Sequence, residues 1–487
     1  MRIARRAVAV ALIACSIGGI VLIERRAPVE REGASFAIAS YAGFPQVGKG
    51  PRISSSWFCP GVAGGDGVDA ARVVIANPSD APITATITFL GGVQPETVPV
   101  SVGPRSRLAV DALRGRTLGV LVPIVEIVGS VGSVEQELVY RAGDVTSQCA
   151  TQTSPTWFFA DGFTAEGSTH RLVLTNPFPE TAVVNVAFTT VAGRRSPAAL
   201  QGLILAPRSA RSVSLAESGA QNESRIAVEV KATTGQIIAS RIQHYLGGGR
   251  LGYSTSLGSP DVLGEWWFTA GRTGPSVTEN LVIFNPGDAA AEVNIAFFGE
   301  GITNGIPVDQ QSAAALPNSI SDVPAGGIVA INTDNLVDLP KGDHAMVVST
   351  LNGARVIVEH VLSQQTAGSW FTAVTNGLPG GLLSHVWRVP SGLSKGTRKA
   401  VSILNTTAED GTFSISAVGP GGELPVAGLV DVPIGPSSVA TFDVPDTTDG
   451  EVIITATVPV AVQRRTLRGH GLVGFGIVGA LPVQERR

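Results

Sequence analysis

Trp157-Phe158-Phe159-Ala160-Asp161-Gly162, followed shortly by Arg171-Leu172-Val173-Leu174-Thr175-Asn176-Pro177, decides how this chain is read. The first phrase is an aromatic strand that runs into a glycine loop. The second is an apolar strand stopped by Asn-Pro, where Asn caps a turn with its side chain and Pro cannot continue a ladder. The pair occurs before, as Trp57-Phe58-Cys59-Pro60-Gly61 with Arg72-Val73-Val74-Ile75-Ala76-Asn77-Pro78, and after, as Trp267-Phe268-Thr269-Ala270-Gly271 with Asn280-Leu281-Val282-Ile283-Phe284-Asn285-Pro286. A drifted copy reads Trp387-Arg388-Val389-Pro390-Ser391-Gly392 with Ala400-Val401-Ser402-Ile403-Leu404-Asn405, and has Thr406 where Pro is expected. Trp57, Trp157, Trp267 and Trp387 precede Asn77, Asn176, Asn285 and Asn405 by 20, 19, 18 and 18 residues. Such a register marks internal repeats.

Two more landmarks support the period. A Pro turn precedes a strand in each copy: Gly103-Pro104-Arg105-Ser106, Ala206-Pro207-Arg208-Ser209, Pro324-Ala325-Gly326-Gly327 and Gly435-Pro436-Ser437-Ser438. Paired alternating runs then close the copies over 226–245, 345–362 and 452–467, around Thr234-Gly235, Asn352-Gly353 and Val458-Pro459. Asn-Gly between such runs predicts a hairpin. The Trp landmarks lie 100, 110 and 120 residues apart, far longer than a propeller blade and suited to about seven short strands.

The expected fold is therefore all-β: four tandem immunoglobulin-like β-sandwich repeats behind an N-terminal transmembrane helix. The expected divisions are a cytoplasmic stub 1–6, an anchor 7–23, a tether 24–52 and repeats 53–155, 156–264, 265–384 and 385–487. Repeat three has extra residues at about 301–321, and a loop of that length is a place where binding tends to occur.

The Trp-Phe-x-Ala-x-Gly phrase with its Asn-Pro strand resembles the tandem repeats of uncharacterised secreted or membrane-anchored actinobacterial envelope proteins. The resemblance covers residues 53–487. It implies export and a β-rich repeat, and it brings no activity or catalytic residues to carry over.

Composition agrees with short strands joined by turns. Charged residues make up 15%, apolar residues 44%, and there are 58 Gly and 31 Pro. A net charge of −4 gives no reason to expect a nucleic-acid partner. Residues 7–23 form an unbroken apolar or small run after Arg2, Arg5 and Arg6, about 26 Å long as a helix. It reads as an uncleaved signal anchor, which places the repeats outside the cytoplasmic membrane. Cleaved export and a lipid anchor at Cys15, after Leu12-Ile13-Ala14, are the alternatives.

Cys59 and Cys149 are the cysteines beyond the apolar run, and in an exported chain they are expected to pair. Closing a loop of about 90 residues stabilises by about 4–5 kcal/mol in the chain-entropy account. The repeat tryptophans could stack on sugars but are more simply core residues.

Catalytic-looking patterns fall in the wrong context. Gly392-Leu393-Ser394-Lys395-Gly396 fits a nucleophile elbow but has no following helix, and Gly247-Gly248-Gly249-Arg250-Leu251-Gly252 precedes a strand rather than a phosphate-binding helix. His170, His244, His344, His360, His385 and His470 show no ligand spacing. Asp66 with Asp69, and Glu409 with Asp410, fit no calcium loop. No catalytic, cofactor or metal residues are assigned, and no enzyme is expected. The expected role is a non-catalytic envelope scaffold or docking protein, held in the membrane through 7–23 and meeting other envelope proteins. The alternative is an array of cell-wall glycan-binding or polysaccharide-binding modules, and exposed rows of Trp and of Phe58, Phe158 and Phe268 would favour it.

Overall fold

The computed structural model describes residues 43–483 except 49–53, 64–66, 93, 117–118, 130, 141–142, 301, 304–305, 308–320, 336–338, 340, 367, 391–396, 445–450 and 469–474. The expected anchor at 7–23, Cys15, Ser394, Asp66, His470 and most of the 301–321 insertion lie outside the described residues. Among those described, no helix is long and apolar enough to cross a membrane.

The described chain is all-β, and its sheets come in pairs. In segment 1 (residues 54–148) one sheet has the spatial order Ser54–Phe58, Val120–Val128, Ile83–Leu90, Glu96–Val102, and the other Ser106–Asp111, Val68–Asn77, Ser133–Tyr140, Gly143–Gln148. These are the Trp sheet and the Asn sheet. Segment 2 (156–257) returns to the same orders: Thr156–Phe159, Ile226–Thr234, Ala182–Thr190, Gly193–Arg195, and Ser209–Ser214, Thr169–Asn176, Ile238–Tyr245, Gly252–Leu257. Segment 3 (265–379) does so with Glu265–Thr273, Gly342–Thr350, Ala291–Gly299, Ser321–Val323, and Ile328–Asn332, Val277–Phe284, Ile357–Thr366, Ser369–Asn376. In segment 4 (384–482) one long strand, Val452–Arg468, serves both sheets.

Alternation explains the layering. In Ile83–Leu90 the residues Ile83, Ala85, Ile87 and Phe89 face a buried core while Thr84 is exposed. That core lies between the sheets and contains Trp57, Val73, Ile75, Val125 and Val134. Each fully buried apolar side chain of this size contributes roughly 1.5–3 kcal/mol.

Two sequence expectations need correction. The core tryptophan of segment 3 is Trp266, not Trp267. Trp57, Trp157 and Trp387 lie opposite Val125, Val230 and Ile454, which also pair with Ile87, Val186 and Ile415, ten residues beyond each Asn. In segment 3 that place belongs to Trp266, opposite Val348, with Ile295 beyond it. The Trp157, Trp266 and Trp387 indoles donate to the carbonyls of Ile237, Val356 and Val460 at 3.0, 2.9 and 2.9 Å, whereas Trp267 donates to the Glu265 carboxylate. The second correction concerns the closing runs, which are not hairpins. Ile226–Thr234 and Ile238–Tyr245 belong to facing sheets, as do Gly342–Thr350 and Ile357–Thr366. Each run is a central strand already flanked on both edges, so the Gly-containing link arches across the core.

The segments close into a ring. Apolar residues of the segment 1 Trp sheet (Leu90, Val122, Ile124) pack on Val173 and Ile242 of the segment 2 Asn sheet. The Trp sheets of segments 2, 3 and 4 meet the Asn sheets of segments 3, 4 and 1 in the same way. The last strands of the four Asn sheets, Gly143–Gln148, Gly252–Leu257, Ser369–Asn376 and Phe475–Gly479, touch one another in turn around an axis. Hydrogen bonds cross between them from Ser147 to the Thr255 carbonyl, from Asn376 to the Leu257 carbonyl (2.9 Å) and from Gln148 to the Gly479 carbonyl (2.8 Å).

The described part of the expected tether, 43–48, packs against the body. Val47 bridges Val483, its N–H donates to the Pro482 carbonyl (2.9 Å), and Phe44 meets Trp266 edge-on. Cys59 and Cys149 form a disulfide that joins the Trp strand of segment 1 to the end of its Asn sheet.

Candidate functional site

Polar chemistry concentrates where consecutive segments meet. Each Asn sheet presents one register position to the preceding segment: Glu135, Ser240, Glu359 and Gln463, opposite Val74, Val173, Val282 and Ser402. At Ser240, Glu359 and Gln463 it reaches the residue three beyond the preceding core Trp. Glu359 Oε2 accepts the Ala160 and Asp161 N–H groups at 3.1 and 2.6 Å, and Gln463 Oε1 accepts the Thr269 N–H at 2.8 Å. Ser240 Oγ donates to the Pro60 carbonyl at 2.6 Å.

The next residue along is Gln136, Arg241, His360 or Arg464. Arg241, wholly buried, grips the equally buried Glu359 through both guanidinium nitrogens, at 2.9 and 3.1 Å. Arg464 pairs with Glu135 at 2.7 Å across the segment 4–1 junction. Arg388 and Glu451, with Ser133 donating to Glu451 at 2.9 Å, form a second buried pair there.

Around Arg241 the network extends to Asp161, which accepts from Tyr245 (3.0 Å) and Arg250 (3.1 Å). Burial alone would raise the Asp161 carboxyl, but Arg250 and then Arg241 outweigh it and hold it below the ordinary value. Burial pushes the His170 imidazole down to about 3, with Arg241 adding to the effect, so it is neutral. The position six residues before each Asn is Ala71, His170, Glu279 or Lys399. Glu279 lies between His360 Nε2 (2.7 Å) and His344 Nε2 (2.8 Å) and accepts from Thr333 (3.0 Å). Burial opposes its ionisation, but His344 and His360 prevail and lower it. Burial, reinforced by Arg464, pushes Lys399 down to about 7. These groups fix the packing of segments; among the described residues, no cluster of three or more His, Cys, Asp or Glu could hold a metal.

The residues singled out from sequence have clear places. Trp57, Trp157, Trp267 and Trp387 are buried, as are Phe158 and Phe268, so they form no exposed aromatic row. Asn77, Asn176, Asn285 and Asn405 each donate to the carbonyl four residues on and to the Pro-turn region, and each Oδ1 accepts an N–H two residues on. Residues 247–250 form the turn of a hairpin whose returning strand is Gly252–Leu257. Glu409 and Asp410 are exposed on the Asn405 turn. Sequence reasoning missed the junction residues. Their signal was a run of two or more polar residues inside an otherwise apolar strand, beginning at Glu135-Gln136, Ser240-Arg241, Glu359-His360 and Gln463-Arg464.

Two spaces accompany these contacts. A cavity of about 60 Å³ at the axis, lined by residues of all four last strands and by 43–45, has room for a few waters. A groove of about 1010 Å³ runs between segments 2 and 3, with Arg194, Arg225, Glu229 and Lys231 on one wall and the Gly287 and Gly326 turns on the other.

The chain is similar over 22% of its length, and 92% of the other, to the crystal structure of Thermotoga maritima 1070 (17% identity, TM-score 0.19). It is similar over 72% of its length to 47% of a Streptomyces avermitilis alpha-L-rhamnosidase complexed with L-rhamnose (9%, 0.15), and over 90% to 98% of the BSP domain of a biofilm associated protein (8%, 0.15). Likenesses this slight carry no argument. No curated protein matches. The profile described as a family of unknown function, DUF5719, matches residues 128–249 and 259–486, and over this majority of its length the chain belongs to that family.

Proposed function

We infer that the chain is a non-catalytic docking platform of the cell envelope, made of four tandem immunoglobulin-like repeats closed into a ring and held outside the cytoplasmic membrane by an anchor at 7–23. The observation that carries this reading is the investment of buried charge in the junctions. Arg241–Glu359 and Arg464–Glu135 join different segments rather than surrounding a reactive centre. Buried pairs of this kind contribute little net stability but penalise misaligned packing, which suits a body that must present fixed surfaces. The disulfide in segment 1 is compatible with an oxidising compartment. Sugar stacking on the repeat tryptophans loses its basis, because their rings are buried.

The test is chemical cross-linking in intact cells with the full-length chain, beside a Glu359→Ala chain whose 2–3 junction is broken. The reading expects a reproducible set of envelope proteins joined to the native chain and lost from the variant. It fails if the native chain captures none, or if protease added outside spheroplasts leaves the ring untouched while cleaving it after lysis.

A further inference from the structure

We propose that the groove between segments 2 and 3 binds an acidic polysaccharide, whose carboxylates pair with Arg225 and Lys231. This goes beyond the docking reading and stands independently of it.

The groove lies beside one turn that carries no side chain. The third residue of each Pro turn is left-handed: φ is 47° at Arg105, 48° at Arg208, 47° at Ser437 and 63° at Gly326. In segment 1 the Arg105 side chain pairs with Asp80 at 2.5 Å and reaches segment 4, where a Cβ placed on Gly422 would lie 3.1 Å from its Nη1. Segment 3 has no side chain at this place. Gly326, next to Gly327 and facing Gly287, leaves the space between segments open as the groove.

The opposite wall is cationic although the whole chain carries −4. Arg194 is engaged by Glu229 at 2.7 Å. Arg225 and Lys231 make no side-chain hydrogen bond or close ion pair among the described residues, although the Asp161 carboxylate, already held by Arg250, attracts Arg225. Arg225 is half-buried, so solvent and salt screen its charge less than that of a surface cation. A planar guanidinium with free donors is the shape that takes a carboxylate through two parallel hydrogen bonds.

The size and lining select the ligand. About 1010 Å³ is at the upper end for small-molecule sites and more than a single ion needs. The lining has no aromatic ring to hold an anchoring side chain of a protein partner; it is mostly Thr, Gly and Pro, with Val191, Ala325 and Ile328 as its aliphatic groups and Asp288 as an acidic one on the turn wall. Three cations are too few for a nucleic acid track. A hydroxyl-rich chain with spaced carboxylates matches a lining with no aromatic ring and two cations that make no close ion pair.

The test uses the full-length protein in detergent, titrated with polygalacturonate and, in parallel, with dextran, poly-glutamate and monomeric galacturonate. Saturable binding of polygalacturonate that weakens as salt rises is expected, with Arg225→Gln and Lys231→Gln each weakening it about tenfold. Gly326→Arg, which places in segment 3 the residue that segments 1 and 2 also hold in the left-handed region, is expected to abolish binding while lowering the melting temperature by only a few degrees, the cost of a side chain at positive φ. Equal binding of dextran overturns the proposal, as do poly-glutamate binding as tightly as polygalacturonate, monomer binding as tightly as polymer, and full binding by the Arg225 and Lys231 variants. Absence of polygalacturonate binding also overturns it, and leaves the cross-linking result for the platform unaffected.

Discussion

The shared register position is charged at the junctions between segments 2 and 3 (Glu359) and between 4 and 1 (Glu135), whereas it is uncharged between 1 and 2 (Ser240) and between 3 and 4 (Gln463), where the ion pair of Arg465 with Asp343 (2.7 Å) lies two residues further along the strand. The residue three beyond the preceding Trp sets the direction of the hydrogen bond there rather than the charge. Ala160 and Thr269 offer an N–H, and Glu359 and Gln463 accept it. Pro60 has no N–H, so Ser240 donates to its carbonyl instead. Pro390 also has none, and Glu135 there is met by Arg464. One backbone arrangement thus accepts several chemistries, provided donors and acceptors balance at each junction.

The largest expected effect comes from breaking an ionic junction. Glu359→Ala strands the buried Arg241 charge and removes the acceptor of two N–H groups, at a cost of about 3–5 kcal/mol in urea unfolding of the full chain. Arg241→Met with Glu359→Leu removes both charges and is expected to recover much of that loss, leaving about 1–3 kcal/mol for the unmet N–H groups. A loss below about 1 kcal/mol for Glu359→Ala would mean that the junction is already wet or open.

Lys399 tests the other ionic junction through pH. Its pKa is pushed by burial down to about 7 in the folded chain and stands at 10.5 as the reference value. Between those values the unfolded chain binds more protons, so the stability of the native protein rises with pH through this window and is lowest at and below about 7. Lys399→Met is expected to stabilise by about 1–3 kcal/mol at pH 7, with the gain vanishing above pH 10.5. An equal gain at both pH values would assign the effect to packing. At the 3–4 junction, whose register residue is uncharged, Gln463→Ala leaves the Thr269 N–H without its acceptor and is expected to cost about 1–3 kcal/mol. Hydrogen exchange at Thr269 should accelerate while Ala160 stays protected, and parallel acceleration at both would mean that the junctions open together.

Much of this fold was legible because turns and alternation are local. Trp57 to Asn77, with its counterparts, gave the period, and the Pro turns gave the strand that follows. The misreadings came from features that local pattern cannot carry. Glu265-Trp266-Trp267 contains two adjacent aromatic residues on opposite faces, and only the pairing of Trp266 with Val348 identifies the inward one. Asn352-Gly353 has hairpin chemistry, but the two runs it joins find better partners in opposite sheets. The ring and the groove depend on contacts between residues as distant as Glu135 and Arg464. Their trace in the sequence is the polar pair that interrupts each second run, and the partner of each member is set by how segments stack rather than by spacing along the chain.

The smallest expected effect is at the 1–2 junction, and it tests why that junction is neutral. Ser240→Ala removes a donor to the Pro60 carbonyl, a group with two lone pairs whose loss of one bond is tolerated better than a stranded N–H, so about 0.5–1.5 kcal/mol is expected. Ser240→Glu should cost more, because Pro60 supplies no N–H and the residue beside it in register with Arg241 is Gln136 in segment 1, whose Oε1 is already held by the Gly61 N–H at 2.8 Å. Pro60→Ala restores an N–H at the place where Ala160 stands in segment 2. If donor balance governs the junctions, Pro60→Ala combined with Ser240→Glu will be more stable than the sum of the two single losses, by an interaction energy of about 1 kcal/mol or more in a double-mutant cycle. A cycle that closes to zero would show that the apolar contact of Val122 and Ile124 with Val173 and Ile242 sets this junction, and that the polar position follows it.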